Sequence, residues 1–215
     1  MKTFKQFISE EEVKELVDIL KRDCKPFLNE ANGLFLRRGV RVLKESELEE
    51  AMLNGHTIEL YTKQTRRDRK ALSTSSHWHE LADEWFAGKF GLPARTQAVF
   101  CLGESGNYDT LKSYGIPCMI FPIGEFSFVW SPKVADLFSD IDDLPHNIAQ
   151  AQFNGGKDES RALFFRWMDK KGYEDGNLSQ ALSGSNEIMM VCNSYYAVQL
   201  AGNKQALETM MRDLA

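Results

Sequence analysis

The sequence lacks several features that would assign a protein class at once. It has no Cys-x-x-Cys pair, and widely spaced thiols are typical of small buried residues in a reducing compartment. The four cysteines are Cys24, Cys101, Cys118 and Cys192. His77 and His79 point to different sides of a predicted helix, so we predict no metal site. No apolar run approaches the roughly 20 residues that span a bilayer, and no secretory signal is visible. We therefore expect no membrane partner.

An excess of positive charge is also missing. The formal net charge is -5, and the field of such a chain does not favour nucleic acid or an anionic membrane. Residues 63–70 hold five basic residues in eight, a pattern that suits contacts with phosphates. No aromatic residues interleave them to stack on bases, so a solvated loop is the preferred interpretation. Nucleic acid is thus an unlikely partner.

What the sequence does have is the composition of an ordinary globular domain. Its 215 residues are 43% hydrophobic and include 14 Phe and 4 Trp. This is enough to bury a dense core in a single domain. Ser9 precedes two acidic residues and an apolar pattern at helical spacing, which predicts a helix over residues 10–22.

One carboxylate stands at the head of a strongly apolar run. Residues 188–192 are typical of a buried strand, Asn193 and Ser194 of a tight turn, and residues 195–200 of a second strand. This pattern predicts a hairpin with Glu187 at its mouth. Such a position suits a carboxylate in a cleft, and the alternative is a solvated residue at a strand entry.

A basic pair follows an early apolar segment. Residues 34–40 predict a strand that carries Arg37 and Arg38 and then Gly39. Because side chains alternate across a strand, only one of the two arginines can point into a cleft. The alternative is a basic pair on an edge strand in solvent.

Taken together, these features resemble the ADP-ribosyltransferase fold. In that fold a glutamate opens an apolar strand that lines the NAD cleft, and an arginine often followed by glycine ends the first strand. A serine or threonine after an arginine leads into a middle strand in divergent members. Arg38 with Gly39, Arg95 with Thr96, and Glu187 stand in this order along the chain. We choose Arg38 over its neighbour because it adjoins the glycine.

The resemblance implies a fold and a set of roles. The implied fold is α+β, with two packed, mostly antiparallel sheets around a cleft and flanking helices, over roughly residues 33–200. NAD would be the substrate, with Arg38 holding its phosphates through a planar, bidentate fork and Gly39 allowing close backbone approach. Thr96 would orient Glu187 or bond a ribose hydroxyl. Glu187 would stabilise the charge that develops as the nicotinamide bond breaks.

Three further expectations complete the site. Residues 103–115 predict a polar loop in which Tyr108 covers the cofactor and stacks on the nicotinamide. Residues 94–101 predict a strand that carries Arg95 and Thr96, and residues 116–130 predict a second hairpin about Gly124 and Glu125. Many arginine-modifying members have Glu or Gln two residues before the catalytic glutamate. That position is Ser185 here, so the acceptor stays open and simple NAD hydrolysis is possible.

Residues 1–10 resemble the capsid-targeting leader of internal head proteins of T-even-type bacteriophages. That leader ends in a hydrophobic-x-Glu site for the prohead protease, and residues 8–10 are Ile-Ser-Glu. The resemblance implies removal on maturation, residence in the virion interior and then the host cytoplasm, and a mature domain of residues 11–215. The alternative is an amphipathic first helical turn that packs Phe4, Phe7 and Ile8.

Two functions of different classes follow. The first is a phage-encoded NAD-dependent ADP-ribosyltransferase, or NAD glycohydrolase, packaged in the virion and acting on a host target. The second is a non-catalytic internal head protein that binds and inhibits a host protein.

Overall fold

A computed structural model of the chain describes residues 3–7, 9–41, 58–68, 70, 75–153, 156–199 and 204–214. Its helices are Glu10–Asp23 (α1), Lys25–Ala31 (α2), Ser76–Phe90 (α3), Ala94–Gln97 (α4), Tyr108–Tyr114 (α5), Leu137–Asp142 (α6), His146–Phe153 (α7), Lys157–Asp169 (α8), Leu178–Ser183 (α9) and Lys204–Leu214 (α10). Its strands are Thr3–Phe7 (β1), Leu36–Val40 (β2), Ile58–Gln64 (β3), Val99–Leu102 (β4), Ile116–Pro122 (β5), Phe126–Trp130 (β6), Glu187–Cys192 (β7) and Ser194–Gln199 (β8).

Helix α1 forms where the sequence predicts a helix, because its start is encoded locally. The Ser9 side chain accepts a hydrogen bond from the Glu12 backbone N–H, and the Glu12 carboxylate accepts one from the Ser9 backbone N–H at 2.8 Å. Together these bonds satisfy two backbone donors that a helix start leaves open. The apolar positions at helical spacing are buried, namely Val13, Leu16, Val17 and Leu20.

The strands form one antiparallel sheet in the order β1-β3-β8-β5-β2-β4-β7-β6. Every strand pair in the described residues is antiparallel. Helices pack on this sheet, so the predicted α+β class is confirmed.

Both predicted hairpins are wrong. β7 pairs with β4 and β6, whereas β8 pairs with β3 and β5. In the same way β5 pairs with β2 and β8 and not with β6. A tight hairpin turn requires positive φ at its centre, and Asn193 has none, while Gly124 alone provides it in the other connection. Each connection is therefore a bend within a long strand.

The bends divide the sheet into two halves. β5 runs on into β6 and β7 runs on into β8, so the pairs β5–β8 and β6–β7 form one long antiparallel ribbon that bends at residues 123–125 and at Asn193. We call β1, β3, β8, β5 and β2 the large half-sheet, and β4, β7 and β6 the small half-sheet. Besides the ribbon, one residue pair between β2 and β4, Arg37 with Leu102, joins the halves. The described strands therefore form one bent sheet and not the two separate sheets that were expected.

Strand β7 packs against a hydrophobic core on each of its two faces. Ile188 and Met190 of β7 belong to a core that includes α1, α2 and the large half-sheet. Met189, between them in the chain, belongs to a second core built with α3, α6 and α8. All four cysteines are buried and free, as expected of small apolar residues.

The N-terminal segment differs from the helical alternative. Thr3–Phe7 forms a strand that pairs antiparallel with β3, from Thr3 opposite Thr62 to Phe7 opposite Ile58. Ile8 lies outside the described residues. No helix among the described residues is long and apolar enough to cross a membrane.

Candidate functional site

The candidate site lies where the two half-sheets meet. Leu102 at the end of β4 is opposite Arg37 of β2 on one side and opposite Glu187 of β7 on the other. The strand that carries the basic pair and the strand that carries the carboxylate are thereby separated by β4 alone. We call this place the β2–β4 junction.

Glu187 is held by contacts from two segments. Its side chain is 13% exposed, and its Oε2 lies 3.5 Å from Nη1 of Arg95. Its backbone N–H donates to the carbonyl oxygen of Ala135 at 2.9 Å, and its carboxylate accepts a hydrogen bond from the backbone N–H of Leu137. The carboxylate is therefore fixed at the start of α6.

The surroundings of Glu187 stabilise the protonated form of its carboxyl relative to the same group in water. Burial raises the pKa of this carboxyl, and the Arg95 guanidinium offsets only part of that rise. The neighbouring Asp136 carboxylate raises the pKa further, while the Leu137 N–H and Arg38 lower it. A carboxyl with a raised pKa inside a protein is a recognised feature of functional sites.

Arg95 is the residue that contacts Glu187 directly. Its side chain is 9% exposed, and its guanidinium lies over the Phe100 ring at 4.7 Å from the ring centre. Its Nε is buried and has no hydrogen-bond partner among the described residues. The residue lies on the short helix α4 and not on the strand predicted over residues 94–101, which begins only at Val99. This guanidinium thus has a donor left for a further partner.

Thr96 is bonded to Asp83 and not to Glu187. Its hydroxyl donates to Oδ2 of Asp83, and its backbone N–H donates to Oδ1 at 3.1 Å. The backbone N–H of Arg95 donates to the same Oδ1 at 2.6 Å. The Asp83 carboxylate on α3 therefore fixes the start of α4. The sequence predicts that Thr96 orients Glu187, whereas in the structure the residue that contacts Glu187 is Arg95.

The two arginines of β2 point to different places, as alternation along a strand requires. Nη1 of Arg38 donates to the carbonyl oxygen of Phe100 on β4, and this guanidinium lowers the pKa of Glu187. Arg37 instead lies over the ring of Phe35, at 5.2 Å from the ring centre. Arg95 thus contacts Glu187 directly, whereas Arg38 is bonded to β4 and acts on Glu187 through its charge.

Gly39 and Tyr108 lie in other surroundings. A methyl group at Gly39 would overlap the carbonyl oxygen of Leu111 on α5, so this glycine allows a helix, and not a ligand, to approach β2. Residues 108–114 form that helix where a polar loop is expected. Tyr108 is 39% exposed and lies 5.0 Å from Nζ of Lys112, measured to the ring centre. The apolar contacts of α5 with β2 explain why no covering loop forms.

Tyr173 is a site residue that sequence reasoning missed. Its hydroxyl is buried and has no hydrogen-bond partner in the described part of the chain. Its ring contacts Trp85 and Phe86 at 5.9 and 4.9 Å between centres. Burial raises the pKa of this phenol well above its ordinary value, and the charge of Glu187 adds to the rise. No local pattern marks it, because it reaches the site through one long-range pair, Trp130 with Glu174.

Two open grooves lie away from the junction, along β6. One has a volume of about 250 Å³ and the other about 320 Å³, and Phe126 and Ser127 line both. Glu187 lines neither. The described residues contain no cluster of three or more His, Cys, Asp or Glu side chains arranged to hold a metal ion.

Comparisons with protein-family models, with curated proteins and with solved structures gave no match. Function is therefore argued from the residues at the junction.

Proposed function

We propose that the chain is an NAD-dependent ADP-ribosyltransferase, or an NAD glycohydrolase, that is packaged in a phage virion and acts on a host target. The observation that carries this proposal is the convergence of Arg38, Arg95 and Glu187 at the β2–β4 junction. These residues come from three distant parts of the sequence, and the resemblance to the ADP-ribosyltransferase fold singles out all three.

The sheet supports the same proposal. The resemblance implies two mostly antiparallel sheets around a cleft, and the bent ribbon gives two half-sheets that meet near Glu187. Helices α3 and α6 cover the small half-sheet on the face that carries Met189. The two half-sheets support the proposal as counterparts of the two implied sheets.

The junction has the donors that NAD requires. Guanidinium groups bind phosphate oxygens through paired, fully charged hydrogen bonds, and Arg38 and Arg95 both contact Phe100 of β4. The buried Nε of Arg95 and the buried hydroxyl of Tyr173 have no described partner. A buried donor without a partner is costly, and a ligand with phosphate and hydroxyl oxygens would satisfy both.

The residues then have distinct roles. Cleavage of the glycosidic bond between nicotinamide and ribose in NAD leaves positive charge on the sugar. The Glu187 carboxylate would stabilise that charge from a fixed position, and Arg95 would keep it ionised near neutral pH. Asp83 acts through Arg95, because it fixes the backbone of α4. Arg38 would hold the phosphates.

A second function has its own observation. The Glu187 carboxylate is already paired with Arg95 and is 13% exposed, and both open grooves lie elsewhere. A non-catalytic internal head protein that binds and inhibits a host protein needs surfaces of that kind and no cleft at Glu187. The leader resemblance supports packaging in either case.

Nicotinamide release from NAD separates the two functions. We expect wild-type protein to release nicotinamide and Glu187→Gln to lose about 10²–10³-fold in turnover, since one preorganised stabilising group is removed. Glu125→Gln, at an exposed position outside the junction, is the matched control and should keep full turnover. Unchanged turnover in Glu187→Gln would remove this carboxylate from the mechanism. Folded wild-type protein that releases no nicotinamide, alone or with host extract, would favour the second function.

Tyr173→Phe tests the unpartnered hydroxyl. We expect the free energy of unfolding to stay equal or to rise, because the hydroxyl has no described partner to lose. We expect the KM for NAD to rise if the hydroxyl contacts the substrate. A loss of stability without a change in KM would mean that the hydroxyl has a purely structural partner.

A further inference from the structure

The outer edge of the sheet at β6 carries unused backbone groups. β6 is the last strand at one edge of the sheet. Its last residue, Trp130, pairs with Glu174 on the outer side. The backbone N–H of Trp130 donates to the carbonyl oxygen of Glu174 at 3.0 Å, and the Glu174 N–H donates back at 2.9 Å. The N–H and C=O of Trp130 therefore point away from β7.

Alternation along the strand extends this direction to two more residues. Backbone groups point to opposite sides at successive residues of a strand, so those of Phe126 and Phe128 point outward like those of Trp130. Those of Ser127 point inward to β7, where Ser127 is opposite Val191. Within the described residues no strand pairs with the outer edge over residues 126–128.

A groove accompanies this edge. It has a volume of about 250 Å³, and the apolar part of its lining comes from β6 and from the end of α3. The lining residues are Glu30, Phe90, Leu92, Phe126, Ser127, Phe128 and Asp175. Glu30 and Asp175 are exposed, and neither forms an ion pair with another described residue. Both charges in the groove are thus negative and unpaired.

The two walls of the groove differ in character. Glu30 lies on α2, on the side where Phe126 and Phe128 pack into the core shared with α1. Phe90 and Leu92 lie at the end of α3 and pack against the second core. An extended chain placed along β6 would direct successive side chains to these two walls in turn.

We infer that the β6 edge binds an extended peptide segment that adds a strand to the sheet and alternates basic with apolar side chains. The outward N–H and C=O groups of Phe126 and Phe128 would bond its backbone. Its basic side chains would approach Glu30 and Asp175, and its apolar side chains would cover Phe90 and Leu92. This site lies outside the β2–β4 junction and does not depend on NAD chemistry.

The test uses the full chain and a ten-residue peptide that alternates lysine and valine, with an alternating glutamate and valine peptide as control. Binding is measured by fluorescence anisotropy, and amide exchange is measured by NMR. We expect the lysine peptide to slow exchange at the Phe126 and Phe128 amides and to leave Ser127 unchanged, since that amide already faces β7. We expect the glutamate peptide to bind at least ten-fold more weakly.

Charge reversal provides the second arm. The double variant Glu30→Lys, Asp175→Lys should weaken binding of the lysine peptide roughly ten-fold, because two exposed attractions become repulsions. Asp142→Lys, at an exposed acid outside the groove, should bind like wild type. Equal binding of both peptides, or protection of all three amides together, would overturn the inference. So would concentration-dependent protection of these amides without peptide, because the edge would then bind a second copy of the chain.

Discussion

Replacing either member of the Arg95–Glu187 pair should destabilise the domain to very different extents. Arg95→Met leaves a carboxylate that is 13% exposed with no guanidinium beside it. Removing one partner of a buried ion pair costs about 3–5 kcal/mol, because the other charge remains uncompensated. We therefore expect this variant to lose about 3–5 kcal/mol of unfolding free energy near neutral pH.

Glu187→Gln removes a charge that the site disfavours. Burial raises the pKa of the carboxyl, which means that the site stabilises the neutral form relative to water. The amide oxygen of the variant still accepts from the Leu137 N–H, and Arg95 keeps its contact with the Phe100 ring. The variant leaves the 9% exposed Arg95 guanidinium without its counter-charge, but it also removes a carboxylate that burial disfavours, so we expect a smaller loss than in Arg95→Met.

The pH dependence fixes the sign of the effect. The folded-state pKa of Glu187 is raised above the ordinary value of about 4.3, so the folded protein binds this proton more readily than the unfolded chain. The ionised carboxyl therefore lowers stability above its folded pKa. That loss is relieved as pH falls through the folded pKa toward about 4.3. The relief should be absent in Glu187→Gln.

Urea denaturation followed by tryptophan fluorescence, at about pH 7.5 and about pH 5, measures these differences. The double variant Arg95→Met, Glu187→Gln should recover most of the stability lost in Arg95→Met, which gives a coupling energy for the pair. The exposed pair Arg161–Glu84, with side chains 47% and 49% exposed, is the control and should change by less than about 1 kcal/mol. The reasoning is refuted if Glu187→Gln loses as much stability as Arg95→Met and keeps the pH dependence of wild type.

Three further predictions follow from the fold. Arg38→Lys should raise the KM for NAD while Arg37→Lys does little, since the Arg38 side chain bonds to β4 whereas that of Arg37 lies over Phe35, and lysine has no planar fork; equal kinetic effects would contradict this. Gly39→Ala should lower the melting temperature, because its methyl group overlaps the Leu111 carbonyl oxygen, and an unchanged melting temperature would show that α5 shifts freely. Deleting residues 1–10 should remove β1 and the helix cap, and the loss of the cap should cost about 1 kcal/mol. The domain should stay folded by circular dichroism, and packaging should be abolished. Intact Met1 in mature particles would argue against a leader.

Local signals in the sequence were sufficient where the structure they encode is local. Helix α1 was predicted over residues 10–22 and spans Glu10–Asp23, since its cap and its apolar stripe lie within one segment. The early strand was predicted over residues 34–40 and spans Leu36–Val40. The α+β class follows from many such elements, none of which requires knowledge of its partner.

Strand pairing was not available from the same signals. Two apolar strands separated by one or a few residues favour a hairpin on spacing alone. The connection at Asn193 has no positive φ, and its two strands pair with residues that are distant in the sequence, such as Val99 opposite Met190. Long-range pairing depends on which apolar faces meet, and no short segment carries that information.

The site shows the same division. Glu187 and Arg38 were found because each carries a charge in or beside an apolar strand. Asp83 and Tyr173 were missed, since no local sequence pattern marks either residue as part of a site. Their roles appear only when α4 packs beside α3 and when Glu174 pairs with Trp130.

The bend in the ribbon explains why a costly group lies at the β2–β4 junction. β7 and β8 are parts of one long strand. Where this strand enters the small half-sheet, its first residue, Glu187, lies beside β4, and β4 lies beside β2. An apolar residue at that position would pack without an ion pair, whereas the chain has a carboxylate with a raised pKa, a guanidinium with an unpartnered Nε and a phenol with an unpartnered hydroxyl. Groups of this kind lower stability. Among the described residues these groups lie together at the junction, which makes the junction the strongest candidate for a functional site.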